Sequence, residues 1–574
     1  MISFKHTALA LSLFALALPA AYAAPVVSDA GVVNAAGFLP PSVPGGSIAQ
    51  GSFFSGFGTE LGPADGVGNT SLPLPTELGG VRVTVTSGET SWDVYLTFVR
   101  ADQFNGVMPS EVPVGEAEIR VIFNGETSEP VTVAIVANSF GIFSAKSSGV
   151  GPGVVTNFIS DAERPVNSSV APADPGQVIT IWGTGLMGMP GADAVSPLEA
   201  GAVRDLQSTL QIAVLVGGSP VEQILYAGRS SEFPGIDQIN VELAATTPAG
   251  CFVPVLAIVN GVPSNEVTIA VGSNGTTCQD AVNPLSTALI GGANLGALAN
   301  VRVLGSVDLS PALTVEFTLD VMAGSFSSQS GEAFSYNRFL SLPPVGSCSR
   351  QVFRGIDLVA LLGGDFPDLN FGTELDAGPT MTLTREGGDP REIAQDSTSV
   401  GRYVGTVGGG LALFGTPDPP YYEPGEFNIT SEGGPGVGAI DVTFPIPARP
   451  VWLNRDAVVT DAPINRTQPL TFAWEPGDPL APQVILALAA NVSLASGSAS
   501  GVVCLLPQTL GGVTLPPALL SAVPASTPFG PAGPTSLGFV GYGSLPVIEP
   551  FQAEGLDLGT AIAATVELQS VTFE

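Results

Sequence analysis

The chain has 574 residues and a formal net charge of −33, from 51 acidic residues against 18 Lys and Arg. An anionic surface of this kind repels phosphate backbones and anionic lipid heads, so nucleic acid is excluded as a partner class. Only 12% of residues are charged while 45% are hydrophobic, so low-hydrophobicity disorder is excluded too, and the length predicts several packed domains.

Residues 1–23, MISFKHTALALSLFALALPAAYA, carry Lys5, an apolar run and a closing Ala21-Tyr22-Ala23. This is the layout of a secretory signal peptide, with cleavage expected after Ala23. The apolar run is short for a bilayer span, so the mature chain is expected to be exported without membrane insertion: secreted, at the cell surface or periplasmic. Cleavage removes His6, the one histidine, and Lys5, leaving Lys146 as the single lysine. Ser-His-Asp and Cys-His nucleophiles and histidine metal sites then have no residues to be built from. Lys146, in FSAKSSGVGPG, reads as a solvated loop residue. No phosphate-binding glycine loop is present. A carboxylate pair is the acid–base chemistry that remains, and nothing singles one out. No catalytic, cofactor-binding or metal residue is assigned, no cofactor is expected, and the chain is read as a non-enzyme.

The next segment raises a question. GSFFSGFGTELG (51–62) and GQVITIWGTGLM (176–187) share one skeleton at an offset of 125 residues (176 − 51), matching Gly51 to Gly176, Gly58 to Gly183, Thr59 to Thr184 and Leu61 to Leu186. QFNGVM (103–108) matches QINVEL (238–243), pairing Gln103 with Gln238 and Asn105 with Asn240. FNGETSEPVTVAIV (123–136) matches VNGVPSNEVTIAV (259–271), with Ser128 against Ser264. Offsets that drift between matched strands are what loop-length variation produces. Two copies of one domain are predicted, 24–145 and 146–279.

In the first copy VRVTV (81–85), DVYLTFV (93–99), EIRVIF (118–123) and VTVAIV (131–136) read as strands. Asn124-Gly125 and Asn260-Gly261 predict tight hairpins, since both residue types tolerate positive φ. Short strands punctuated by Gly and Pro predict immunoglobulin-like sandwiches. Phe54 and Ile179 are expected in the cores, Phe57 or Trp182 at their ends, and the Gly58-Thr59 and Gly183-Thr184 steps as turns out of the strand.

GVVNAAGF (31–38), GSFFSGFGTELG, LGGVRVTV (78–85), QFN, NGETSEPVTV and GIF (141–143) together resemble an uncharacterised β-domain family of secreted proteins from soil Acidobacteria. NSSVAPADPGQVITIWGTGL (167–186), ILYAG (224–228), IDQINVELA (236–244) and NGVPSNEVTIAV (260–271) extend the resemblance over residues 26–280. The G-T-x-Φ strand end is also similar to TIG-type Ig-like domains. The resemblance implies fold and export, and no activity.

Beyond 280 the strand-like runs are LTVEFTLDVMAGSF (313–326), MTLTR (381–385), EFNIT (426–430), AIDVTFPI (439–446), LTFAWEP (470–476), QVILALAA (483–490) and AATVELQSVTF (563–573). ALIGGANLGALAN (288–300) reads as a flexible joint. The Pro-rich IPARPVWLNRD (446–456) is taken to divide the region into β-rich domains 280–450 and 451–574.

Four cysteines remain after cleavage: Cys251, Cys278, Cys348 and Cys504. An even count in an exported chain predicts two disulfides, and the absence of C-x-x-C spacing disfavours zinc. Cys251 and Cys278 flank the hairpin turned by Asn260-Gly261 and are expected to pair. Cys348 and Cys504 then pair with each other, unless Cys504 is an inert core thiol.

Trp92, Trp182, Trp452 and Trp474 offer sugar-stacking faces but sit in strand runs, where core packing is the commoner use. Asp376, Glu423 and Glu426 lie near turns, as Ca²⁺ ligands or as surface carboxylates. Arg455 and Arg466 are read as structural ion pairs, with Asp456 or another acid, ahead of anion binding. The functional expectation is an adhesive or structural surface protein whose partner is an extracellular protein or polysaccharide; the alternative is a carbohydrate-binding or carboxylate-pair glycoside-active protein with its site in 280–574.

Overall fold

The computed structural model describes residues 23–195, 205–231, 233–272, 275–280, 283–310, 313–338, 340–355, 372–411, 416–477, 483–526, 535–545 and 548–574. The expected signal peptide, apart from its last residue, lies outside the described residues. The fold is all-β.

In the first sandwich one sheet runs in the order Val26–Asn34, Phe53–Thr59, Gln103–Val107, Tyr95–Arg100, Val67–Gly68. It faces a sheet built on Ile48–Ala49, Val131–Val136, Gly115–Phe123, Val81–Ser87 and Glu77–Leu78. Alternating residues of both sheets, among them Phe54, Val83, Leu96, Phe104, Ile119 and Val121, are fully buried between them. That is the inward half of the period-2 pattern read in the sequence. The second sandwich repeats the plan, with Val178–Thr184 and Asp237–Glu242 at the centre of one sheet and Gly250–Val259 paired to Val262–Val271 in the other.

The repeat extends to single hydrogen bonds. Ser128 Oγ accepts the Val121 N–H at 3.0 Å, and Ser264 Oγ accepts the Ala257 N–H at 3.0 Å. Asn124-Gly125 and Asn260-Gly261 all have positive φ, 53°, 84°, 49° and 79°, as the predicted hairpins require. Phe54 and Ile179 are buried, whereas Phe57 and Trp182 are only half-buried.

The shared glycines act differently from the turn expected of them. Gly58 and Gly183 lie inside their strands. A Cβ at Gly58 would stand 1.9 Å from the Val26 carbonyl oxygen, and one at Gly183 2.3 Å from that of Gly141. Glycine is needed because a neighbouring backbone crosses there. The turning falls to the next residues, Glu60 at φ 56° and Gly185 at φ 97°.

The boundary at 450 is corrected. Ala293–Ser310 pairs in parallel with Leu558–Val571 from Leu295↔Leu558 to Ser306↔Gln569. Ser347–Phe353 pairs with Ser498–Pro507. Strands from both sides of 450 thus share one ten-stranded sheet. The sheet Arg391–Ala394, Thr380–Arg385, Gly425–Ser431, Ile440–Ile446 covers one part of it around Phe326, Tyr403 and Phe427. The pair Leu470–Ala473 and Gly512–Leu515 covers another around Trp452, Trp474 and Tyr542. The Pro-rich stretch is a passage between two coverings of one sheet. The supposed joint 288–300 is ordered as well: it holds the end of a helix, Pro284–Gly291, and the start of the strand Ala293–Ser310.

Both disulfides form as expected, Cys251–Cys278 and Cys348–Cys504. The second joins residues directly opposite across two strands.

Leu215, Leu256 and Ile258 of the second sandwich belong to the same buried cluster as Cys348, Trp452 and Phe472. A fragment of residues 25–279 is therefore expected to give a β-type circular dichroism spectrum while binding a hydrophobic dye at this uncovered face. A random-coil spectrum would show that the two sandwiches do not fold without the C-terminal unit.

Candidate functional site

Two joints between units and one cleft gather charged side chains in a defined geometry.

The first joint answers the question posed by the repeated skeleton. Thr184 donates its hydroxyl to the Gly235 carbonyl at 2.6 Å and accepts the Phe53 N–H of the first sandwich at 2.8 Å. Asp237 accepts the N–H groups of Gly185 and Leu186, both at 2.8 Å. Its other oxygen lies 3.1 Å from Nε of Arg229. Arg229 reaches over to the Gly51 carbonyl at 3.0 Å and also holds that of Met187 at 2.9 Å. Asp193 receives the Ser110 N–H at 2.7 Å and its hydroxyl at 2.6 Å. Arg229 and Asp237 are 4% and 1% exposed; burial pushes the Asp237 carboxyl up against the pull of Arg229 and of the two N–H groups it accepts. The skeleton of the second copy is a socket for the first sandwich.

The second joint centres on Arg350, 3% exposed, on the strand that carries Cys348. Its guanidinium donates to the carbonyls of Pro263 (3.2 Å) and Ser264 in the second sandwich. It also donates to the Pro44 carbonyl in the first sandwich at 2.7 Å, and to Ser500 Oγ at 3.4 Å. The Arg350 N–H goes to the Glu266 carboxylate. Burial pushes Glu266 well above the usual carboxylate range, against the pull of that N–H and the guanidinium charge, and lowers Arg350 to about 10.

The cleft, about 670 Å³, lies on the C-terminal unit and is lined in part by Phe317, Glu316, Asp418, Arg449, Arg455 and Glu567. Glu567 is gripped by Arg455 at 2.6 Å and by Arg449. Burial alone would push this carboxyl up, but the two arginines outweigh it and hold it below its ordinary value. An ionised carboxylate of this kind is the wrong state for a general acid. A carboxyl depressed in the fold stabilises it above its ordinary value near 4.5, and that contribution is lost as pH falls through the lower folded value. Acid titration below pH 4.5 is expected to loosen the cleft in wild type, and Glu567→Gln to lack that loss; equal acid profiles by thermal melting would contradict the assignment.

Trp452 stacks on Phe472 and Tyr542, with ring centroids 5.5 and 5.6 Å away, and Trp474 is 1% exposed. Both are core residues. Trp92 packs against the first core, and the Trp182 indole N–H faces Thr156 Oγ at 3.4 Å. The four do not form a platform. Asp376 accepts from Gly378 N–H and Gln395 at 2.9 Å each, Glu423 pairs with Arg302 at 3.2 Å, and Glu426 is exposed. Arg455 forms ion pairs with Glu567 and, at 3.3 Å, with Asp456, as expected. Arg466 instead donates to the backbone carbonyls of Val523 (2.9 Å) and Glu574 (3.2 Å). Lys146 is an exposed partner of Glu332. Arg229, Asp237, Arg350 and Glu567 were not singled out in the sequence. The available signal was a lone charge within an apolar strand run, as in SCSRQVF and TVELQSV.

No family model matches the chain, and no curated protein does. Among solved structures it is similar to gamma-CGTase from Alkalophilic bacillus clarkii, with 12% identity and TM-score 0.13 over 41% of this chain and 23% of that one. It is similar to a Bacteroides ovatus SGBP-B solved with a mixed-linkage heptasaccharide, with 9% identity and TM-score 0.14 over 83% and 87% of the two chains. Sidekick-1 immunoglobulin domains 1–4 match with 10% identity and TM-score 0.12 over 93% and 97%. The chain spans less than a quarter of the first of these. At such scores the likeness carries nothing about ligand or activity. Among the described residues no helix is long and apolar enough to cross a membrane.

Proposed function

We propose that this is an exported, non-enzymatic modular β protein that acts as a rigid structural or adhesive element outside the cytoplasm. The observation that carries the reading is the Arg350 joint, where one guanidinium bonds to all three units. Domains in one chain move relative to each other by default, unless the interface resists it. Opening this joint would break the guanidinium's bonds to three carbonyls of the two sandwiches at once, which opposes hinge motion. A protein that displays or transmits force needs that stiffness. Two disulfides fit an oxidising compartment, and the resemblance of residues 26–280 to secreted acidobacterial β domains supports export. The direct test is small-angle scattering of the mature chain together with a surface-binding assay. A single rigid envelope and retention on an extracellular matrix or polysaccharide are expected; a flexible-chain profile would remove the reading.

A polysaccharide bound in the cleft is the second reading, favoured by its polar lining of Ser306, Arg449, Glu567 and Gln569 beside Phe317. On a glycan array Gln569→Ala is expected to weaken any retained glycan about tenfold, the size of one lost hydrogen bond. Glycoside turnover abolished by a single carboxylate substitution would overturn the non-enzymatic assignment.

A further inference from the structure

Strand register gives the cleft its floor. Glu567 lies opposite Leu304, Leu304 opposite Thr318, and Thr318 opposite Gly410. Two residues along, Gln569 lies opposite Ser306 and Ser306 opposite Glu316. Opposed residues share a face of a sheet, as do residues two apart in one strand. The two rows therefore make one largely polar strip across the ten-stranded sheet. The same face is covered on either side of it. Asp320, in the next row, accepts the N–H groups of Tyr421 and Tyr422, which lead into the strand Gly425–Ser431. Tyr542, beside Glu567, lies against Trp452. Within the strip Ser306 donates to Gln569 at 2.7 Å and Gln569 to Glu567 at 3.0 Å, so the floor is a hydrogen-bonded line that ends on two arginines.

Charge is divided between the two ends of the strip. Arg449 and Arg455 bond Glu567 through Nη1 and Nε, and Nη2 of each makes no hydrogen bond among the described residues. At the other end stand Glu316 and Asp418, both exposed. Neither carboxylate has an ion pair or a hydrogen bond among the described residues. Asp418 is fixed by its backbone, which exchanges two hydrogen bonds with Gly409, at 3.2 and 3.1 Å. Two strand spacings, about 10 Å, separate the strand of Glu567 from that of Glu316.

This division disfavours a charged ligand. A chain that is anionic throughout meets Glu316 and Asp418, one that is cationic throughout meets the guanidiniums, and like charges brought together are costly. A guanidinium only donates and a carboxylate only accepts, whereas a hydroxyl does both. A run of hydroxyls satisfies both ends without net charge. We propose that the cleft takes a neutral, polyhydroxylated glycan, laid across the strands from Arg449 and Arg455 to Glu316 and Asp418. The proposal rests on the reading of the cleft as a polysaccharide site. Glu316 and Asp418 accept from the glycan's hydroxyls and turn polyuronates away.

Affinity electrophoresis of the mature chain tests it, in gels that each hold one polysaccharide: neutral glucans, mannans and galactans on one arm, polygalacturonate and alginate on the other. At least one neutral polymer is expected to retard the protein, equally at low salt and at about 0.5 M salt, since no charge pair forms. Glu316→Gln and Asp418→Asn should melt like wild type, because neither carboxylate supports the fold. Each should weaken the retention about tenfold, the size of one hydrogen bond to a charged group. Retention by a polyuronate in place of every neutral polymer, or neutral retention untouched by both substitutions, would overturn the proposal. If Gln569→Ala abolished such polyuronate retention, the cleft would remain a glycan site and only the neutral class would be lost. No retention on either arm would remove the polysaccharide reading as well.

Discussion

Arg350→Met is expected to destabilise the protein by about 3–5 kcal/mol and to separate its melting into more than one transition. The substitution keeps most of the stem's packing but removes the donors that satisfy carbonyls of Pro44, Pro263 and Ser264. Buried carbonyls left without partners carry the desolvation penalty, which is the larger part of the effect. Arg350→Lys should recover only a fraction, because a compact ammonium cannot span carbonyls in two sandwiches as a planar fork does. Glu266→Gln is expected to act in the opposite sense. Its carboxyl is raised in the fold, so the stability linked to it is full below the ordinary value near 4.5 and is lost as pH rises toward the folded value. The amide should be the more stable variant at neutral pH and should flatten that part of the pH profile. Calorimetry of the three variants between pH 4 and pH 8 measures all of this; a single unshifted transition for Arg350→Met would refute the joint.

What the sequence disclosed follows from which signals are local. Strand alternation, Asn-Gly hairpins and the repeated skeleton depend on neighbours, and each gave the right element: Val81–Ser87, Val262–Val271 and Val178–Thr184 lie where their patterns put them. The cystine Cys251–Cys278 was legible for the same reason, since a short hairpin brings its flanks together. Gly58 and Gly183 were misread because a crossing backbone and a turn both select glycine, and the residue does not say which. The boundary at 450 failed on distance. Nothing near Ala293–Ser310 announces that its parallel partner is Leu558–Val571, and prolines that divide domains look the same as prolines that route a chain over a sheet. The joints were hidden for a related reason. Arg229 and Arg350 look like ordinary surface cations until the fold shows that each reaches a backbone carbonyl of another unit, Gly51 for Arg229 and Pro44, Pro263 and Ser264 for Arg350, contacts that no side-chain motif encodes.

That continuity of the C-terminal sheet decides what breaking the second disulfide does. Cys348 and Cys504 close 156 residues of chain, and in the chain-entropy account a loop of that size is worth up to about 5 kcal/mol. For a unit of this size that corresponds to a fall in Tm on the order of 10 °C. Were the region two domains held by a staple, Cys348→Ala with Cys504→Ala would split the transition. It is one sheet: Ser498–Pro507 is zipped to Val484–Ser493 as well as to Ser347–Phe353, and Ala293–Ser310 runs beside Leu558–Val571. The double variant should therefore melt lower but in one step over the C-terminal unit. The second sandwich should follow it, because the Cys348 N–H donates to the Gly217 carbonyl at 3.1 Å and Gly218 abuts the cystine. Calorimetry with and without reductant reads both effects. Two separated C-terminal transitions would restore the division near 450, and an unchanged Tm would mean that the bridge constrains nothing the paired strands do not already hold.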